Sequence, residues 1–538
     1  MDAARLFKRA AAAALFLFTF CAHAREPVVA REFMVSAAHP LAAQAGYDVL
    51  ARGGSAVDAA IAVQMVLGLV EPESSGNGGG AFLLHWSQRE QKLRSYDGRE
   101  AAPKAARPDR FFPNGKPMAF MEAVVGGRSV GVPGVLRMLE LGHQRHGRLP
   151  WAELFQPAIR AAEQGFPLSP RLHAVLQEEQ FLRADPAARR IFYGKAVGDR
   201  ITNPEYAATL RALAERGARA MYEAPIAADM VRAVRAQHGD MTDADVAAYR
   251  AIEREPLCGA YRVWRICSMG PPSSGGVGVL QILGLLERTP FGGAPAESAP
   301  ALHYFSEAGR LAYADRARYL GDPAFASVPL ARLLSPAYLD ARAKLIGERS
   351  MRRALPGDME SGTSHFSIVE ANGDAVAMTT TIESGFGSRI MVRGFLLNNE
   401  LTDFDFTPGG PNEVAGGKRP RSSMAPTMVF DAGGRLVLIV GSPGGSQIIN
   451  YVAKALVGVL DWKLDIQRAI DLPNFGSRNG PTQIERGSRY EGLMPALAER
   501  GHELRLMEME SGLHGIERAP GGWRGGADPR REGVALGR

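Results

Sequence analysis

Residues 362–383 read GTSHFSIVEANGDAVAMTTTIE, two alternating runs on either side of Asn372-Gly373. Alternation with period two sends successive side chains to opposite faces of a strand, and an Asn-Gly pair supplies the left-handed backbone of a tight hairpin. Two registers fit the spacing. A two-residue loop at Asn372-Gly373 sets Thr363 opposite Ile382. A three-residue loop over 371–373, with Gly373 left-handed, pairs Glu370 with Asp374 and Thr363 with Thr381. The second register places two hydroxyls side by side at the strand start. A threonine cluster at a strand end is ordinary by itself, so its meaning depends on what surrounds it.

Downstream stand LLNNELTDF, with Glu400 and Asp403 three apart, then RPRSSMAP with Ser422-Ser423, then GSPGGS with Gly444-Gly445. Upstream, YDGRE carries Arg99. Carboxylates suit a substrate ammonium, hydroxyls and a planar guanidinium suit a carboxylate, and a Gly-Gly turn exposes N–H groups able to hold an oxyanion. Together they would recognise a small zwitterion carrying an acyl group to transfer.

Further out, Gly53-Gly54 ends one predicted helix, and Ser55 with Asp58 makes a capping box for a second that runs to Pro72. That second helix is apolar nearly all round and is therefore expected to be buried. A Gly-rich loop (74–80) and two strands follow it. Residues 135–250 have a helical texture, whereas from about 363 short β-branched runs punctuated by NG, GG and PGG imply a strand-rich portion.

The chain has 538 residues, 46% hydrophobic and 22% charged, enough for a sizeable core of one large layered body or several domains. The net charge of +6 is spread rather than gathered into a basic block, which argues against a nucleic-acid partner. Arg5, Lys8 and Arg9, an apolar run to Phe20 and Ala22-His23-Ala24 read as a signal peptide over residues 1–24. No later stretch is long enough to span a membrane. A periplasmic or secreted location is expected, with an uncleaved N-terminal anchor as the alternative. Cys258 and Cys267 flank a predicted turn at Arg262-Val263 that pairs Tyr261 with Trp264, leaving two readings open: a disulfide or two small buried thiols.

Other chemistries find less support. His143 and His146 lack a third metal ligand and read as a solvated helix end. Gly127–Gly131 (GRSVG) matches G-x-S-x-G, but Pro133 falls where the helix behind a nucleophile elbow should begin, so Ser129 reads as a turn residue. No HExxH, CxxC, phosphate-loop or dinucleotide-binding pattern occurs in the required context, and no metal or cofactor is expected.

The ordered blocks GGSAVDAAIAV, SSGNGGGAF, YDGREAAP, VGVPG, PPSSGG, AYADRARYLGDP, TSHFSIVEANGDAVAMTTTIE, LLNNELTDF, KRPRSSMAPT, GSPGGS and GGADPR resemble the gamma-glutamyltransferase family, over nearly the whole chain after residue 24. The resemblance implies a four-layer αββα sandwich of the N-terminal nucleophile hydrolase type. It also implies a proenzyme that cuts itself between Gly362 and Thr363 into a large subunit (25–362) and a small one (363–538), which stay together as a heterodimer. Thr363 is then nucleophile and, through its new α-amine, base. The family pattern assigns Thr381 to assist it, Gly444 and Gly445 to the oxyanion hole, Arg99, Ser422 and Ser423 to the substrate α-carboxylate, and Glu383, Glu400 and Asp403 to its α-amino group. Implied substrates are glutathione and related gamma-glutamyl compounds, with water or an amino acid or peptide as acceptor.

Two features depart from many members. The 407–418 segment, TPGGPNEVAGGK, is short where others carry a lid with an aromatic, and position 383 is Glu where many have Asn. A glutaryl or cephalosporin acylase on the same fold, and a noncatalytic binding protein for glutamyl peptides, are the alternatives.

Overall fold

The computed structural model describes residues 25–351 and 362–538, so the expected signal peptide lies outside the described residues. The 362–383 stretch forms the hairpin its alternation predicts, and the three-residue register is the one adopted: Thr363 pairs with Thr381, and the Glu370 amide donates to the Asp374 carbonyl at 2.9 Å. Gly373 sits at φ +91°, the left-handed conformation that this loop requires and that a side chain resists.

Among the described residues, fourteen strands build two antiparallel sheets of seven. In chain order they are β1 (Val28–Ala30), β2 (Met34–Ala37), β3 (Gly80–Ser87), β4 (Lys92–Gly98), β5 (Ile252–Arg254), β6 (Leu257–Tyr261), β7 (Trp264–Ser268), β8 (Gly362–Val369), β9 (Ala375–Glu383), β10 (Thr427–Phe430), β11 (Leu436–Gly441), β12 (His514–Ala519), β13 (Gly522–Ala527) and β14 (Val534–Gly537). One sheet runs β14-β2-β8-β9-β3-β4-β5, the other β1-β13-β12-β11-β10-β7-β6. Segments from before and after residue 362 therefore interleave in both. The chain closes on itself as well, because the amides of Arg31 and Glu32 donate to the Arg538 carbonyl at 2.8 and 2.6 Å.

Alternation along the hairpin makes the layers. Phe366, Ile368, Val376 and Met378 join an outer core with the helices α1 (Pro40–Ala51), α2 (Ala56–Val70) and α3 (Val135–His146). Ser55 and Asp58 close the capping box of α2, all of whose residues except Gly68 are buried. Val369, Ala375 and Ala377 point the other way and meet Met428, Phe430, Ile439, Ile516 and Trp523 of the second sheet, with Trp86 and Phe430 ring centroids 4.7 Å apart. That sheet's far face (Ile266, Val429, Leu438, Val440) packs on α4 (Gly275–Leu286), α5 (Ala299–Tyr319) and α6 (Ile448–Leu460). The result is the expected αββα sandwich, each fully buried large apolar side chain contributing roughly 1.5–3 kcal/mol.

Two local readings resolve. The β6–β7 hairpin pairs Tyr261 with Trp264 and Cys258 with Cys267, and the cysteines form a disulfide. His143 and His146 do not form the solvated helix end expected. The ring of His143 bonds the Leu149 carbonyl at 2.9 Å, and His146 stacks on His85 and bonds the Tyr96 hydroxyl at 2.7 Å. The α3 end packs against the β3–β4 edge, which periodicity alone does not reveal. Ser129 is a turn residue: buried, its hydroxyl donates to Val124 and Gly126 carbonyls.

Candidate active site

The β8–β9 hairpin opens at its 362–383 end into a cleft of about 140 Å³. Thr363 and Thr381 stand there side by side, both nearly buried, with Oγ1 atoms 3.5 Å apart. The Thr381 hydroxyl accepts the Glu383 amide at 2.7 Å, across a backbone that turns left-handed at Glu383 (φ +77°). A non-glycine residue in that conformation costs about 1–2 kcal/mol. Its occurrence beside the two hydroxyls aims the Glu383 carboxyl into the cleft, where Ser384 donates to it at 2.7 Å and Asn399 at 3.3 Å.

The short helical turn Glu400–Asp403 supplies the adjoining wall. Arg99, at the end of β4, reaches it with one amino group on Glu400 and the other on Asp403, while Nε donates to the Pro420 carbonyl at 3.1 Å. Burial opposes the Arg99 charge, but Glu400 and Asp403 outweigh it and hold the proton more firmly than usual. The carboxyls respond oppositely. Burial first, then the neighbouring Asp403 and Glu400, pushes Glu383 well above the carboxylate range. Burial pushes Glu400 up to about 7 against the pull of Arg99. Glu100, behind them, is raised by burial and by Glu400. This wall, which crowds Glu383, Glu400 and Asp403 around the Arg99 guanidinium, is suited to a further positive charge.

Ser422, Ser423 and Gly445 also line the cleft. Gly444 and Gly445 have φ of +125° and +52°, and a Cβ on Gly444 would lie 2.6 Å from the Tyr451 ring, so this turn admits only glycine at 444. It leads through a 3-10 turn into the N-terminus of α6, where unpaired N–H groups collect. Of the ten residues expected to bind or react, nine line one cleft, and Gly444 adjoins it. None of residues 407–418 lines it: that loop folds away, Gly417 donating to the Ala102 carbonyl at 3.0 Å and Lys418 to the carbonyls of Pro411 and Glu413.

Some residues at the site were not singled out from sequence. Arg316 and Arg421 line the cleft, Arg316 within the quoted AYADRARYLGDP block, where an arginine on a largely buried helix was the available signal. Arg531 donates to the Thr363 carbonyl at 3.0 Å, and Ser364 donates to Glu71 at 2.7 Å. These contacts span 168 and 293 residues and leave no local pattern.

The chain is 35% identical over 540 residues to a glutathione hydrolase proenzyme of Bacillus subtilis strain 168, covering 95% of this chain and 92% of that protein. It is 34% identical over 520 residues to the acylase ACY 1 proenzyme of Pseudomonas sp. strain V22, covering 94% and 93%. Among solved structures, a cephalosporin acylase from Bacillus halodurans superimposes with a TM-score of 0.84 at 28% identity, over 96% of this chain and 97% of that one. The gamma-glutamyltranspeptidase family profile matches residues 42–538. With that match and this sandwich, the chain belongs to the gamma-glutamyltranspeptidase family.

Proposed function

We propose that the protein is a gamma-glutamyl hydrolase and transferase that acts on glutathione and related amides through a Thr363 ester. The observation that carries this reading is the cleft itself: a hydroxyl pair beside an Arg99 guanidinium already shared by Glu400 and Asp403. A zwitterion brings both charges. Its ammonium can join Glu383, Glu400 and Asp403 while its carboxylate joins Arg99, Ser422 and Ser423, so the internal ion pairs are exchanged without stranding a charge. A glutaryl donor, with a carboxylate alone, would draw Arg99 from its partners and leave buried carboxylates uncompensated.

The chemistry proceeds in two rounds at one atom. In the first, the Thr363 hydroxyl attacks the Gly362 carbonyl, the C–N bond breaks in favour of an ester, and water hydrolyses it to a Gly362 carboxylate and a free Thr363 amine. That cut defines a large subunit ending at 362 and a small one beginning at 363. An α-amine has an unperturbed pKa of about 8, near enough to neutrality to take the hydroxyl proton, which the amide it replaces could not do. In the second round the hydroxyl attacks the gamma-carbonyl of the donor, the amine passes its proton to the leaving nitrogen, and water or an acceptor amine releases the acyl group. Thr381 orients the nucleophile, and the Gly444 and Gly445 amides receive the oxyanion, a contribution of roughly 3–4 kcal/mol per donor.

The same-fold alternative is a glutaryl or cephalosporin acylase, favoured by the TM-score to the Bacillus halodurans enzyme. One pair of measurements decides. Purified protein should run as two chains, the smaller beginning at Thr363, and should release aniline faster from gamma-glutamyl than from glutaryl anilide. Thr363→Ala should remain one chain without activity. Activity from an uncut chain would overturn the mechanism, and preference for the glutaryl donor would overturn the substrate. The signal-like N-terminus supports a periplasmic or secreted site of action.

A further inference from the structure

Arg316 projects from α5 into the cleft, and its surroundings differ from those of the other arginines there. Its Nε donates to Ser274 Oγ at 2.8 Å and one amino group to Ser423 Oγ at 2.9 Å; the other amino group has no hydrogen-bond partner among the described residues. Nor does a carboxylate lie within ion-pair distance of it among those residues. By contrast Arg99 is held by Glu400 and Asp403, and Arg421 by Asp405 at 3.0 Å. Burial first, and then a second cation, Arg421, lower the pKa of Arg316 to about 10 against a smaller opposing pull from Tyr313, Asp403 and Asp405.

A half-buried guanidinium fixed by two neutral hydroxyls and lacking a counter-ion is costly unless an anion completes it. Its location says which anion. It touches Ser423, on the wall assigned to the donor carboxylate, and it offers an unused amino group on that side. Arg99 can accept a carboxylate only by loosening its own pairs, whereas Arg316 has none to loosen. We propose that Arg316 is a specificity-determining residue that binds the donor's free carboxylate together with Ser423, an inference that rests on the acyl-donor reading given above. The planar guanidinium thereby adds a second, unpaired cation to the carboxylate grip that Arg99, Ser422 and Ser423 supply.

The test uses the self-processed enzyme, Arg316→Met and Arg316→Lys, each with gamma-glutamyl anilide and with the same donor blocked as its α-carboxamide. For the carboxylate donor, Arg316→Met should raise KM by about 100-fold with kcat within about threefold, and Arg316→Lys should recover about tenfold of that loss. For the carboxamide, the three enzymes should agree within about threefold in kcat/KM. Equal losses on both donors, or no loss on the carboxylate, would overturn the proposal. If the variants fail to process, labelling of the wild-type enzyme with phenylglyoxal decides. Arg316 should be modified in free enzyme and shielded by saturating L-glutamate, and unshielded modification would overturn it. A wild-type enzyme that ignores gamma-glutamyl anilide but cleaves glutaryl anilide would refute the functional reading only. Arg316 is then tested with glutaryl anilide and its terminal carboxamide.

Discussion

Removing Arg99 takes away the guanidinium that pairs with Glu400 and Asp403 and lies 4.0 Å from the buried Glu100. Breaking a buried pair from one side costs about 3–5 kcal/mol, so Arg99→Ala should lose stability as well as donor affinity, measurable as a lower midpoint in urea. A rise in KM with an unchanged midpoint would show that the pairs are not structural. Thr381→Val removes the acceptor of the Glu383 amide and the neighbour of the Thr363 hydroxyl. It should slow both self-cleavage and turnover by about 100-fold with little change in KM, read by band conversion and by steady-state rates. At this scale the sequence was informative wherever residues recur in a named block. It was silent for Arg531, because the Thr363 carbonyl it holds is brought to it only by sheet pairing.

Elements show the same division between local and distant causes. The hairpin register was legible because one residue decides it: only a left-handed position at 373 pairs Thr363 with Thr381. Gly373→Ala would strain that backbone and press a methyl to 3.1 Å from Gln88, so a loss of about 1–2 kcal/mol is expected, with slower processing at elevated temperature. The β6–β7 hairpin was equally legible, its turn residues fixing Cys258 opposite Cys267. Replacing both cysteines by serine should cost about 2–3 kcal/mol of the segment's stability by freeing the unfolded loop, detectable by hydrogen exchange in β6 and β7. Which strands neighbour one another in the two sheets was not legible. β2 reaches β8 across more than 300 residues, and periodicity says which face of a strand is buried but not beside what.

Across the whole molecule, neutral buried histidines set the response to acid. His303 donates Nε2–H to the Gly347 carbonyl at 2.8 Å, so its Nδ1 accepts from His502 Nε2 at 2.8 Å, and His502 Nδ1 in turn accepts from Thr482. A second proton on His303 would set two N–H groups face to face, and one on His502 would end the bond it accepts from Thr482. Burial, then His303, takes His502 down to about 3, and burial takes His514 to about 4. Both folded values lie below the unfolded one of about 6.5, so their contribution is complete above pH 6.5 and is lost as pH falls toward 4 and 3. Each such histidine should cost up to about 1.4 kcal/mol per pH unit in that window. Unfolding midpoints between pH 7 and 4.5 should fall accordingly, with a shallower slope in His502→Gln.

The bonds of Arg31 and Glu32 to Arg538 bring the two extremities of the folded body together. A re-spliced gene could therefore tie residue 538 to residue 25 through a short bridge and begin translation at Thr363. After trimming of the initiator methionine, such a polypeptide would be born with its catalytic amine exposed. It should work at once as one continuous molecule, without ever passing through a dormant precursor.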